Sequence, residues 1–176
     1  RLDATYSFGV YNELYGYASL LIVLFSFRMD TALFRFGSKT GSLSKAFSTA
    51  LLPVVLGGMV MVSLIYSNAG SISTWLAYPD KAFYIKWFAL IIGFDVLMLL
   101  PYARLRLENK AVLFTAYRLF NIILTIGLVY YFLEIKPVGK HGIIPALEDV
   151  EYVFLANLIT STVMLLLMLP ILAKAK

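Results

Sequence analysis

The chain has 176 residues, 61% of them hydrophobic and only 14% charged, and its mean hydropathy is +0.83. Soluble domains carry about 45–50% apolar and about 25% charged residues, so this composition excludes an ordinary soluble enzyme, a disordered tail and a nucleic-acid module. The net charge of +5 falls between apolar blocks, where a membrane surface explains it better than nucleic acid does.

A membrane-crossing helix needs roughly 20 mostly apolar residues. Five stretches meet that requirement: about Phe8–Phe27, Ala46–Ala69, Phe83–Pro101, Val112–Ile135 and Glu151–Ala173. The expected fold is all-α, a polytopic transmembrane helical bundle running over residues 1–176 as a single unit. The chain begins at Arg1 rather than Met, and a partial polypeptide is expected. None of the stretches has the basic start and small-residue cleavage site of a signal peptide.

Lysine and arginine in short loops set the orientation. Arg28, Arg35, Lys39 and Lys45 follow the first stretch. Arg104, Arg106 and Lys110 follow the third, and Lys174 and Lys176 end the chain. Those nine are expected in the cytoplasm, against four on the other side: Arg1, Lys81, Lys136 and Lys140. Trp75, Tyr78, Tyr84, Trp87, Tyr130, Tyr131 and Tyr152 are then expected at the outer interface, where amphipathic rings sit half wet. The segment Ser71–Asp80 reads as a short interfacial turn or helix.

Charged side chains inside apolar stretches cost roughly 3 kcal/mol or more, so each calls for a partner or a wet cavity. Asp95 lies six residues before Pro101, and Arg118 six residues after Val112. At 1.5 Å per residue both are expected about 9 Å below the same interface, facing one another or a shared polar cavity. A structural ion pair and a role in substrate or ion coupling are both open. Thr115, Arg118, Asn121 (or its neighbour) and Thr125 recur at helical spacing and share a face. Asn157, Thr160, Ser161 and Met164 do the same on the last stretch. Two such faces suggest a hydrated interior, although Ser, Thr and Asn also bridge helices in ordinary bundles. Glu13 is expected to reach the outer water. Pro53, Gly57 and Gly58 allow a kink and close helix approach.

Catalytic signals fail. Lys39-Thr40-Gly41 and Ser42-x-x-Lys45 imitate penicillin-binding motifs, but they are adjacent, in the wrong order and confined to one loop. No phosphate-binding, zinc-protease or dinucleotide pattern occurs. The lone His141 cannot build a zinc site, and with no cysteine disulfides and thiolate sites are excluded. No enzyme is expected, and no metal or other cofactor.

Five runs carry a resemblance: Phe8-Gly-Val-Tyr-Asn-Glu-Leu-Tyr15, Phe27-Arg-Met-Asp-Thr-Ala-Leu-Phe-Arg-Phe36, Lys45-Ala-Phe-Ser-Thr-Ala50, Trp87-Phe-Ala-Leu-Ile-Ile-Gly-Phe-Asp95 and Pro101-Tyr-Ala-Arg-Leu-Arg-Leu-Glu-Asn-Lys110. In this order they resemble the Wzx-like oligosaccharide flippases of the multidrug/oligosaccharidyl-lipid/polysaccharide exporter superfamily, over most of residues 8–135. Arg28 departs from the pattern, which expects glycine there.

The resemblance implies a two-lobe transporter of about twelve or more helices in the bacterial cytoplasmic (inner) membrane. This chain would supply helices two to six of the N-terminal lobe, without the first helix and the C-terminal lobe. It implies transport of undecaprenyl-diphosphate-linked oligosaccharide for cell-surface polysaccharide such as O-antigen or capsule. Membrane lipids and polysaccharide polymerase or assembly proteins would be partners, and nucleic acid would not. No cofactor is implied, and coupling to a proton or sodium gradient is open. Within that frame, charge and depth make Arg118 the candidate for the diphosphate, with Thr115 and Asn121 beside it. Arg28 and Arg35 would recruit the head group from the cytoplasmic side, and Asp95 would hold Arg118 or take up a coupling proton. A drug or cation antiporter of the same fold and a non-transporting membrane scaffold are the rivals.

Overall fold

The computed structural model describes residues 2–37, 43–76, 82–135 and 149–173. In chain order the helices are α1 (Leu2–Phe25), α2 (Met29–Gly37), α3 (Leu43–Ser67), α4 (Ala69–Trp75), α5 (Ala82–Leu107), α6 (Ala111–Tyr130) and α7 (Asp149–Ala173). A π-helical stretch, Tyr131–Ile135, prolongs α6. No strand occurs among the described residues. Among the described residues, four helices are long and apolar enough to cross a membrane: α3, α5, α6 with its extension, and α7. The chain has the character of a membrane protein.

The first expected span falls on α1, which meets α2 at a bend: Asn12–Phe25 and α2 together have the length and composition of a crossing and are bent by 42°. The break falls at Ser26–Arg28. Phe27 has φ 48° and Arg28 φ 51°, two consecutive left-handed residues that end α1. The backbone N–H of Arg28 donates to the Ser26 Oγ at 3.3 Å, and the Met29 N–H to the Ser26 carbonyl at 2.9 Å. Hydropathy cannot register such a break, because Phe27 and Met29 are as apolar as the helices they separate.

α5 is the axis of the bundle. It packs against α3 and α7 and also touches α1, α2, α4 and α6. Tyr84, Phe88, Ile92, Val96, Leu100 and Ala103 along it are buried. A helix apolar all round belongs inside, and α5 is such a helix. α6 is equally apolar, yet none of its residues is buried. It packs on α7 and α5 from outside.

Glycines permit the tight contacts. A Cβ on Gly93 of α5 would lie 2.5 Å from the Val62 Cγ2 of α3. One on Gly57 would lie 2.6 Å from the Phe27 ring and 3.3 Å from the Phe25 carbonyl, so Gly57 makes room for the α1–α2 bend. Pro53, Pro101 and Pro170 all lie inside helices. A buried helix tolerates proline where neighbouring groups re-satisfy the freed backbone. The third span therefore runs through Pro101 to Leu107 rather than ending at Pro101.

Two of the aromatics expected at a wet interface are interior. Tyr84 stacks on Phe154 with centroids 5.3 Å apart, and Tyr152 packs against Phe132 at 5.6 Å. Both are buried. Trp75, Tyr130 and Tyr131 are exposed, and Trp87 is half-buried. Tyr78, Lys81, Lys136, Lys140, His141, Lys174, Lys176, Arg1 and the Lys39–Ser42 segment lie outside the described residues.

Candidate functional site

Apart from Lys86 near the start of α5 and Arg118 within α6, the described basic residues gather at one end of the bundle, where α5 ends. Arg104, read from sequence as a loop residue, is a buried residue of α5, 8% exposed. Its Nε donates to the Glu108 Oε1 at 2.8 Å, its guanidinium stacks 4.7 Å from the Phe47 ring centroid of α3, and its Nη1 donates to the Ile171 carbonyl of α7 at 3.4 Å. A buried charge persists only when paired and hydrogen-bonded, and Arg104 is both. Arg106 stacks on Phe34 of α2 at 4.9 Å and on Phe114 of α6 at 5.4 Å. Lys110 closes the turn by donating its Nζ to the Glu108 Oε2 at 2.6 Å. The hydrogen bonds from Lys110 and then Arg104 hold the Glu108 carboxyl below its ordinary range. The sequence signal for this cluster is the i, i+4 spacing of Arg104 and Glu108.

Deeper in the bundle, α5, α6 and α7 meet in a layer built on Asp95, Met98 and Tyr102, which follow one another at helical spacing. Met98 and Tyr102 form a small core with Met164 and Met168 of α7, against which Phe114 and Tyr117 of α6 pack. The Ser161 Oγ donates to the Asp95 Oδ1 at 3.2 Å. The expected α7 face is turned inward: Thr160, Ser161 and Met164 are buried, and Asn157 is half-buried.

Asp95 and Arg118 are not joined as an ion pair. The guanidinium of Arg118 lies 4.4 Å from the centroid of the Tyr102 ring and 5.9 Å from that of Phe114. Helix length supplies the reason. Because α5 continues to Leu107, Asp95 lies twelve residues from its end, about 18 Å, whereas Arg118 lies seven residues into α6, about 10 Å. Tyr102, five residues from the end of α5, is the residue at Arg118's level. The two charges remain within electrostatic reach of one another without direct contact. Among the described residues, the hydroxyls of Tyr102 and Thr160 are buried without a hydrogen-bond partner.

The remaining candidates lie as follows. On α6, Thr115 is exposed and Asn121 half-buried, and the Thr125 hydroxyl donates to the Asn121 carbonyl at 2.9 Å. Thr125 and Asn157 also line a cleft of about 450 Å³ between α6 and α7. Arg28 is exposed at the α1–α2 bend, and Arg35 is exposed on α2 with its guanidinium 5.8 Å from the Phe36 ring centroid. The structure thus brings Arg118, Asn121 and Asp95 to the α5–α6–α7 side and puts Arg28 and Arg35 on a separate element. Glu13 is exposed and accepts from the Tyr17 hydroxyl at 3.4 Å. Sequence reading missed two partners, Ser161 for Asp95 and Tyr102 for Arg118.

No protein-family model, curated protein or solved structure matches the chain.

Proposed function

We propose that the chain forms part of the N-terminal lobe of a bacterial inner-membrane flippase for lipid-linked oligosaccharide, working by alternating access. The observation that carries this reading is the position of Arg118. A guanidinium placed about two turns into an apolar helix is exposed on the surface of the bundle, and among the described residues no carboxylate contacts it. In hydrocarbon such a group needs water or an anionic ligand. A diphosphate fits, since guanidinium–phosphate hydrogen bonds are charge-assisted and bidentate. The stacking on Tyr102 orients the guanidinium while leaving its N–H donors for a ligand. The order of the flippase-like runs over residues 8–135 supports the same reading.

The test uses the intact protein in liposomes with undecaprenyl-diphosphate oligosaccharide, following exposure of the sugar on the opposite leaflet. Translocation is expected. Its absence in folded protein that exchanges cations or drugs would support the antiporter. Absence of all transport, together with uniform protection of cysteines placed at Thr115, Asn121 and Thr125, would support the scaffold.

A further inference from the structure

A second feature lies away from Arg118. Between α2 and α3, at the basic end of the bundle, is a cleft of about 630 Å³. Its walls are Met29, Ala32, Leu33 and Phe36 of α2 and Ala46 and Ala50 of α3. Thr49 also lines it, but its hydroxyl is engaged by the Lys45 carbonyl of its own helix at 2.9 Å. One cation stands at the cleft: Lys45 is a lining residue with an exposed side chain. No acidic residue is among the described residues that line it.

An apolar trough with a lysine at its wall, in a helical bundle of membrane character, matches one occupant in shape and charge. We infer that the α2–α3 cleft seats an acyl chain of an anionic bilayer phospholipid, whose phosphate is held by Lys45. Acyl chains supply the apolar filling, and the anionic surface of a cytoplasmic leaflet draws such lipids to basic side chains. Charge complementarity separates this occupant from a zwitterionic lipid, which would gain from the walls alone. The site is independent of the transported substrate and stands whether or not the flippase reading does.

The test is native mass spectrometry of the full chain, delipidated and titrated with phosphatidylglycerol or phosphatidylcholine. One retained phosphatidylglycerol is expected, preferred over phosphatidylcholine by about fivefold or more. Lys45→Gln, at an exposed position that the fold does not need, is expected to remove that preference. Lys110→Gln, the same charge change at the same end, is expected to leave it intact. Dihexanoyl phosphatidylglycerol, with the same head group and short tails, should compete at least about tenfold less well, because affinity grows with each buried methylene. Equal retention of the two lipids, equal loss in both lysine variants, or full competition by the short-tailed lipid would each overturn the site. A dimer that forms in place of the lipid complex would also overturn it and assign the cleft to a second copy.

Discussion

The guanidinium of Arg118 on α6 lies 4.4 Å from the centroid of the Tyr102 ring on α5, and the Tyr102 hydroxyl is buried without a partner. The ring therefore does two separable things. It packs the α5–α6–α7 layer and offers its face to a cation. Tyr102→Phe keeps both, so thermal unfolding in detergent should place it within about 1 kcal/mol of the wild type or above it. Tyr102→Ala removes ring and packing together and should cost about 3 kcal/mol. A loss of more than about 2 kcal/mol in Tyr102→Phe would mean that the hydroxyl has a partner after all.

Glu108 bridges Arg104 and Lys110 at the end of α5, and its carboxyl is held below the ordinary value of 4.5 by those partners. A lowered carboxylate contributes stability that is complete above the ordinary value and is lost as pH falls through the lowered one. Unfolding followed against pH should show this loss only below pH 4.5. Glu108→Gln should flatten that limb of the profile. It should also destabilise the protein at neutral pH, because it leaves the buried Arg104 without its carboxylate. An unchanged acid limb in Glu108→Gln would show that the bridge contributes nothing.

How much of this was legible in the sequence depends on the kind of interaction. The α7 face of Thr160, Ser161 and Met164 was readable because periodicity alone turns residues to one side. The all-helical bundle and its apolar spans followed from composition and length. The depth of Asp95 was not readable, because it hangs on whether Pro101 ends a helix. That depends on neighbours that replace the lost backbone hydrogen bond, and a single sequence does not display them. Ser161, 66 residues from Asp95, was out of reach for the same reason. Apolar patterning says that α5 and α6 are buried in something, without distinguishing protein from lipid. Only packing shows that α5 is the axis and α6 an outer helix.

Close approach of α3 and α5 rests on Gly93. Gly93→Ala places a Cβ 2.5 Å from Val62 Cγ2, and a β-branched side chain on a helix has little freedom to turn away. The helices must separate, at a cost of about 1–3 kcal/mol. Gly127→Ala on α6, where nothing lies within 4 Å of the added atom, should be neutral or stabilising by up to about 1 kcal/mol. Matched denaturant series on the two variants check the contrast. Equal effects would refute the α3–α5 packing described here.

Arg28 adopts φ 51°, where a side chain costs roughly 1 kcal/mol and glycine does not. Arg28→Gly should raise the unfolding midpoint, since the Arg28 N–H bond to Ser26 uses only backbone. A lower midpoint would show that the arginine side chain supports the bend.

On the proposed function, Arg118 is held by Tyr102 for an anionic ligand rather than spent on Asp95. The most direct measurement compares translocation of undecaprenyl-diphosphate oligosaccharide by the wild type, Arg118→Lys and Arg118→Ala in liposomes. The account predicts a graded loss. Lysine, which keeps the charge but not the bidentate fork, should lose part of the rate, and alanine should lose about tenfold or more. Rates unchanged in Arg118→Ala, in protein with wild-type stability, would contradict it.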